Sequence, residues 1–569
     1  MGLSGALQIG RMGLLASQAA IEVAGNNLAN IATRGYHRQE VTLVPARSQA
    51  IGPGVFVGRG VLVQQIVRQI DDALEGRLRT SISDQSQSLA QRGVLSQIEA
   101  IYNEFSGVDL STRLGAFFNA WSELANNPQD NSLRSLVIQE GATLASFIQT
   151  LRSDLVNVRT QVDRSIDAAT AAADNLLTQI EGINLQIVNA EGGTGSGAHG
   201  LRDQRDTLLA ELAQFIDIST VEQPSGVVDV FVGSTPIILN GRSRGLEVRR
   251  QTVDGQLQTD VVVSDDGTVV NGSSGQIGAL VSSREQDINQ AIQFLDDYAN
   301  QLIFQVNRLH SQGQGLQGHS TVTATSRVLD TTVALNDPDA GLDFVPTHGS
   351  FRISVTQQST GHRVTSTISV DLDGINPAGD TTLVSLAAAI DALADINATI
   401  TADGRLQITG AGSDFEVSFS DDTSGVLAAL GINTFFTGST AFDMGVNDVI
   451  LAAPVKLAAA LEHLSGDNRT ALALAALRDE SIESLGGLSL TEMWHRHVQD
   501  YAVRLSQAQQ HLEADSVVRE SLQAQQQQVS GVNADEEAID LLGFQRAYQG
   551  SARFIAVVDE MLQTLLALL

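Results

Sequence analysis

Apolar and small residues recur every three or four positions at both ends of the chain. Near the start the line is Leu3, Leu7, Gly10, Leu14, Ser17, Ile21, Ala24, Leu28 and Ile31. Near the finish it is Leu541, Phe544, Tyr548, Ser551, Ile555, Val558, Leu562, Leu565 and Leu569. A stripe this narrow, repeating about every 3.5 residues, needs a partner helix to cover it. The pattern therefore predicts two terminal helices paired as a coiled coil, with everything between them a long excursion. Gly10, Ser17, Ala24 and Ser551 within the stripes let the two backbones approach closely. An isolated pair of helices is marginal in water, so residues 1–35 and 530–569 are expected to order fully only when the chain assembles.

Between the ends the pattern changes several times. Asn26, Asn27, Asn30, Thr33 and Gly35 cluster where the first helical period stops, which predicts a bend near 33–36. Alternation over 39–44 and 55–66 around Gly52, Pro53 and Gly54 suggests a short hairpin. Residues 71–212 read as helix, and 133–191 hold no proline and only Gly141 and Gly182. One helix of about 60 residues would be about 90 Å long, which favours a rod-like bundle over a compact globule. The run 192–200 breaks it. Strand patterns occupy 227–239, 246–250 and 256–264, and helix returns over 275–311. Strands at 350–355, 364–372, 398–401, 406–409 and 415–419, with one helix at 383–396, mark a Thr-, Ser- and Gly-rich region. Helix resumes from 452, with breaks at Gly486, Gly487 and Gly531.

The expected fold class is thus mainly α with β-rich inserted domains. Residues 1–36 and 530–569 would form a terminal coiled-coil polymerisation domain, and 37–320 with 450–529 a helical rod with a small β-rich section near 218–270. Residues 321–449 would form a projecting β-rich outer domain.

Composition supports a large, helix-rich chain: 569 residues are 43% hydrophobic but only 4% aromatic, so packing rests on Leu, Ile, Val and Ala. With 65 acidic and 34 basic residues the net charge is -31, which repels nucleic-acid backbones and anionic lipid alike. Lys456 is the single lysine. Cysteine is absent, so no disulfide or thiolate site exists. No run reaches the roughly 18 apolar residues of a membrane span, so no membrane insertion is expected. The apolar stretch after Arg11 is interrupted by Gly13, Ser17, Gln18 and Glu22, which reads as a retained helix and not as a cleaved signal.

A search for reactive chemistry yields none. His495 and His497 stand two apart, on different faces of a helix. Gly193, Gly195 and Ala198 fit a dinucleotide fingerprint nominally, but follow a helix where a strand is required. Asp371, Asp373 and Gly374 lack the downstream acidic ligands of a calcium loop and read as a turn. No H-E-x-x-H occurs. The expectation is a chain that is not an enzyme and has no catalytic, cofactor or metal residues.

The segment 25–36, G-N-N-L-A-N-I-A-T-R-G-Y, resembles the signature of bacterial flagellar rod, hook and hook-associated proteins, with Asn26, Asn27, Asn30, Thr33, Gly35 and Tyr36 as the matching positions. Arg34 stands where that family usually has a small residue or proline. The stretches S-G-V-N-A-D-E-E at 530–537, F-Q-R-A-Y-Q at 544–549 and D-E-M-L at 559–562 resemble the family's C-terminal helix. Gly35 to Gln39, G-Y-H-R-Q, and 201–209, L-R-D-Q-R-D-T-L-L, are similar to the members at the junction between hook and filament, through Asp203, Gln204, Arg205 and Asp206. By charge pattern alone this last segment reads as a solvated face with an Arg202 to Asp206 pair. The resemblance covers about 1–320 and 450–569. It implies an adaptor that polymerises at the hook tip and allows filament assembly, secreted by flagellar type III export to the outside of the cell. The partners it implies are further copies of the chain, the hook protein, a second junction protein and an export chaperone on the C-terminal helix. A hook or distal rod protein would share both ends but lack the long helix and the D-Q-R-D segment. A secreted enzyme or adhesin on a flagellar scaffold would carry its activity in 321–447.

Overall fold

The computed structural model describes residues 3–52, 54–104, 107–192, 197–253, 256–270, 274–375, 379–464 and 466–567. Leu569, Pro53, Gly193 and Gly195 lie outside these described residues. The chain forms two compact units, each gathered from separate stretches: Met1–Val94, Val162–Ser283 and Ser506–Leu569 in the first, Leu95–Gln161 and Arg284–Leu505 in the second.

In chain order, α1 (Leu3–Ala29) leads into β1 (Gln39–Pro45), β2 (Gln49–Gly52), β3 (Val55–Val57) and β4 (Val61–Arg68). Four helices follow: α2 (Asp72–Tyr102), α3 (Leu110–Asn126), α4 (Asn131–Glu191) and α5 (His199–Phe215). Next come β5 (Ser219–Glu222), β6 (Val228–Val232), β7 (Thr235–Leu239), β8 (Arg242–Ser243), β9 (Leu246–Val253) and β10 (Gln256–Val263), then α6 (Gly275–Ser282) and α7 (Asn289–His310). The β-rich region contributes β11 (Thr321–Thr323), β12 (Gly349–Gln357), β13 (Arg363–Val370), α8 (Leu383–Asp391), β14 (Ile396–Ile400), β15 (Leu406–Gly410), β16 (Phe415–Ser420) and α9 (Val426–Leu430). The chain closes with β17 (Phe436–Thr437), β18 (Gly445–Val446), α10 (Asp448–Ala452), α11 (Arg469–Ala476), α12 (Leu490–Ser530) and α13 (Ala534–Ala567).

Local chemistry explains the main boundaries. The Asp71 carboxylate accepts from the N–H groups of Ala73 and Leu74 at 3.0 Å each, and Asp109 accepts from Thr112 at 2.7 Å, so both helices begin on a capped turn. The 61-residue α4 contains hydroxyl residues that would favour other structure, but Ser135, Thr143, Thr150, Thr160 and Thr178 each donate to the carbonyl four residues back. α13 starts with Asp535, Glu536 and Glu537, acidic charge placed against the positive end of the helix dipole.

In the first unit α1 packs along α13 and also lies on β1 and β4, which pair antiparallel from Gln39 opposite Arg68 to Pro45 opposite Val61. β2 and β3 make a second, smaller hairpin within that loop. The sheet β5-β6-β7-β8 and the ribbon of β9 and β10 follow α5. In the second unit Phe117, Trp121, Phe435 and Phe436 form a buried aromatic cluster. Two three-stranded sheets, β13-β12-β16 and β11-β15-β14, bury Phe351, Ile353, Ile408 and Phe419 against Leu386 and Ile390 of α8 and Leu427 and Leu430 of α9. α8 is held at its start by a reciprocal capping box between Thr382 and Ser385.

Several expectations need correction. The strand read over 227–239 is the two strands β6 and β7. The helix read over 383–396 ends at Asp391, because Asp395 turns to φ 62° and β14 begins at Ile396. The stretch after 452 is not continuous helix: Gln314 N–H donates to Ala460 O at 2.7 Å and Ala459 N–H to Gln314 O at 3.1 Å, which draws this segment out as a backbone partner. Ile31 lies beyond the end of α1 and is exposed. No helix among the described residues is long and apolar enough to cross a membrane.

Candidate functional site

The terminal seam brings α1 and α13 together through its small residues. Gly10, Ser17 and Ala24 are buried, while Leu3, Leu7, Leu14 and Ile21 are half-buried and Leu28 is exposed. On α13 Val558 is buried, Leu541, Phe544, Ser551, Ile555 and Leu562 are half-buried, and Tyr548 and Leu565 are exposed. A Cβ at Gly10 would stand 2.6 Å from Ile555 Cγ1, so the closeness of the helices depends on that glycine. α1 has a second buried line, Ala16, Ala20, Val23 and Asn27, which the heptad reading missed because alanine gives so weak an apolar signal. α13 also leaves Ile539, Leu542, Phe554, Val557, Met561 and Leu566 exposed.

Behind this seam lies a buried polar joint. Asn27 is 1% exposed and uses its whole hydrogen-bonding capacity. Its Nδ2 donates to Gln39 O at 2.9 Å and to Glu537 Oε2 at 3.0 Å. Its Oδ1 accepts from Gln39 N–H at 2.9 Å and from the Tyr36 hydroxyl at 2.8 Å. Asn26 donates to the Tyr36 hydroxyl at 3.2 Å, and Asn30 donates back to Asn26 O at 2.9 Å. Burial and the charges of Asp203 and Glu537 push the Tyr36 phenol up to about 12, so it stays a donor.

The bend itself is set by Gly35, at φ 77°, whose missing side chain makes room for Thr207 Oγ1. Thr33 N–H donates to Asn30 O at 2.8 Å across the turn. Arg34 is exposed and leaves the geometry to its neighbour. After the bend, Arg38 donates its backbone N–H to Ser530 O at 2.9 Å and its Nε to Glu537 Oε1 at 2.6 Å. The side chain of Glu537 is 3% exposed and thus ties both Asn27 and Arg38 to the start of α13.

The D-Q-R-D segment supplies the other half of the joint. His37 Nδ1 lies 2.7 Å from Asp203 Oδ1, and Arg68 donates to Asp203 Oδ1 and Asp206 Oδ2 at 2.7 Å each. Arg205, 1% exposed, donates to Gly226 O at 2.6 Å and to Glu222 Oε2 at 3.0 Å. Arg202 grips Glu191 at 2.8 and 3.1 Å and reaches Glu222 at 2.7 Å. The expectation of a solvated face is overturned: Arg202, Asp203 and Arg205 are buried among partners from β4, β5 and the end of α4, and only Gln204 points outward.

Among the described residues, titratable side chains elsewhere do not gather into a reactive set. His37, Asp203 and Asp206 are near enough to share an ion, but the Arg68 guanidinium bridges the two aspartates and supplies the positive charge there. The other grouping, His348, Asp371 and Asp373, is exposed, and Asp373 accepts from Ile375 N–H at 2.9 Å as a turn residue does. His497 stacks on Phe294 at 3.5 Å with its Nε2 2.8 Å from the Tyr102 hydroxyl, whereas His495 Nε2 lies 3.0 Å from Ser111 Oγ. Burial, aided by Arg504, lowers His497 to about 3. The arrangement as a whole is one for holding chain segments together.

Comparison with known proteins agrees with that character. Residues 95–323 match the family described as the flagellar hook-associated protein FlgK helical domain, and 524–568 match the flagellar basal body rod FlgEFG protein C-terminal family. Over these two stretches the chain is similar to the flagellar hook-associated proteins. Within that class it is similar along nearly its whole length to flagellar hook-associated protein 1: 26% identical to that of Escherichia coli K12, over 97% of this chain and 98% of the relative. The protein of that name from Bacillus subtilis 168 is 32% identical over 39% of this chain and 44% of its own length. The structure of the flagellar hook junction protein FlgK from Burkholderia pseudomallei shares the fold, with a TM-score of 0.50 at 16% identity, covering 80% of this chain and all of that one.

Proposed function

We propose that this chain is a structural subunit of the bacterial flagellum that polymerises at the tip of the hook and adapts it to the filament. The observation that carries the reading is the joint at which Glu537 holds both Asn27 and Arg38, because it unites the two segments that resemble flagellar axial proteins into one element. The α1 and α13 pair is then the polymerisation element, wound as a coiled coil in the assembled axis. The apolar side chains that α13 leaves exposed would meet neighbouring copies. A contact between two different surfaces of identical subunits generates rings or helical tubes, as an adaptor at the end of a tube requires.

The partners of this reading are the hook protein on one side, a second junction protein on the other, and an export chaperone that covers α13 before secretion. Residues 1–36 and 530–569 serve polymerisation, and the β-rich 321–449 projects from the assembly. The match of 524–568 to the rod-protein C-terminal family keeps one rival alive, a hook or rod subunit. Immunogold labelling of isolated hook–filament complexes decides between them: a short band between hook and filament is expected, and label along the hook favours the rival. A glycan-binding and hydrolase screen of the full chain is expected to find no activity.

A further inference from the structure

The ring of His37, 3% exposed, sits between carboxylates on two different helices: Nδ1 is 2.7 Å from Asp203 on α5, and Nε2 is 3.7 Å from Glu75 on α2. A neutral imidazole carries one N–H, so it serves one of these carboxylates and turns a lone pair on the other. Imidazolium alone offers a proton to both. We propose that the proton on His37 is a latch: while it is held, the bend after α1 is fastened to α2 and α5, and its loss at alkaline pH unfastens the terminal helix pair.

The connections run directly from the ring to both chain ends. Arg38, the next residue, holds Glu537 of α13 and Ser530 O. Glu75, the second carboxylate at the ring, accepts from Gln526 Nε2 of α12 at 2.6 Å. On the other side Asp203 shares Arg68 with Asp206. A ring that repels one of its two carboxylates therefore loosens the bend from α2 or from α5.

The charged groups facing the ring change little in the relevant range. From α5 these are Asp203, Asp206 and Glu211, from α2 Glu75 and Arg79, from β4 Arg68, from α12 Arg519, and from the bend Arg34; several line an adjoining cavity of about 130 Å³. Guanidinium groups keep their charge, and carboxylates ionise several pH units lower. The sequence clears the window further, with no cysteine and Lys456 as the single lysine. Burial opposes the charge on His37, but its hydrogen bond to Asp203, the nearby Glu75 carboxylate and the charges of Asp203 and Asp206 outweigh burial and raise the ring to about 9. A folded-state value above the unfolded one, about 6.5, means that the stabilisation is complete below about 6.5 and fades as pH rises through the folded value.

The test uses the full chain. NMR titration of the His37 ring is expected to give a midpoint near 9. Between pH about 7.5 and about 10, protection factors of amides in 26–40 and 534–540 are expected to fall at least about tenfold, with those of α8 unchanged. In His37→Gln those protection factors should be low throughout and insensitive to pH. A ring that titrates at or below about 7 overturns the latch, as does wild-type protection that ignores the titration. If His37→Gln does not fold, the two wild-type measurements decide alone.

Discussion

Asn27 and Glu537 stand 510 positions apart in sequence and share a buried hydrogen bond of 3.0 Å. The same Glu537 accepts from Arg38 at 2.6 Å, so one carboxylate receives the last buried side chain of α1 and the first arginine after the bend. Each has a distinct energetic signature.

Asn27→Ala strands the N–H and C=O of Gln39, the Tyr36 hydroxyl and one oxygen of Glu537 at a buried site. A loss of about 2–4 kcal/mol in urea unfolding of the first unit is expected. Asn27→Asp keeps the acceptor but puts a carboxylate oxygen where Nδ2 now faces Glu537, so its loss should be at least as large near neutral pH and smaller in acid. Equal midpoints for Asn27→Asp at both pH values would contradict the assignment of Nδ2.

A double-mutant cycle between Arg38 and Glu537 should return a coupling of about 1–3 kcal/mol, because the carboxylate is buried and geometrically fixed. The pair of Arg38 with Asp540, at 3.4 Å and with a half-exposed carboxylate, should give less than about 0.5 kcal/mol. Similar couplings in the two cycles would show that burial does not set the difference.

Gly35→Ala forces a side chain into the left-handed region and onto Thr207, and is expected to cost about 1–3 kcal/mol. Gly25, inside α1, has nothing within 4 Å of its Cβ position, so Gly25→Ala should stabilise by about 0.5–1 kcal/mol. Thermal scans of the two variants beside wild type check both signs at once.

Gly10→Ala places a methyl group 2.6 Å from Ile555 Cγ1 and 3.1 Å from Phe554 Cδ1, so α1 and α13 must separate. A cost of about 1–3 kcal/mol in the first unit is expected, with the second unit melting as before. In cells the variant should give shorter filaments and smaller swim rings than Gly25→Ala at equal expression.

The helix pair, the bend and the long α4 were legible because each leaves a periodic or compositional trace over neighbouring residues. The joint was not. Asn27 shows in sequence as a helix terminator, yet its partners Gln39 and Glu537 are named only when the ends meet. Arg202 to Asp206 has the alternating charge of a wet surface, and it is buried because Glu191, Glu222, Arg68 and His37 arrive from other elements. Helix 383–396 was read too long because nothing in periodicity announces the left-handed turn at Asp395. Ala16 and Ala20, small enough to bury anywhere, gave no stripe to follow.

Because the first unit is gathered from Met1–Val94, Val162–Ser283 and Ser506–Leu569, its closing bonds involve residues made long after α1. A chain emerging from a ribosome or a secretion channel with its N-terminus ahead carries α1 bare until position 537 has followed. The bond from Asn27 to Glu537 therefore also marks the meeting of the two segments: products truncated before position 537 cannot make it.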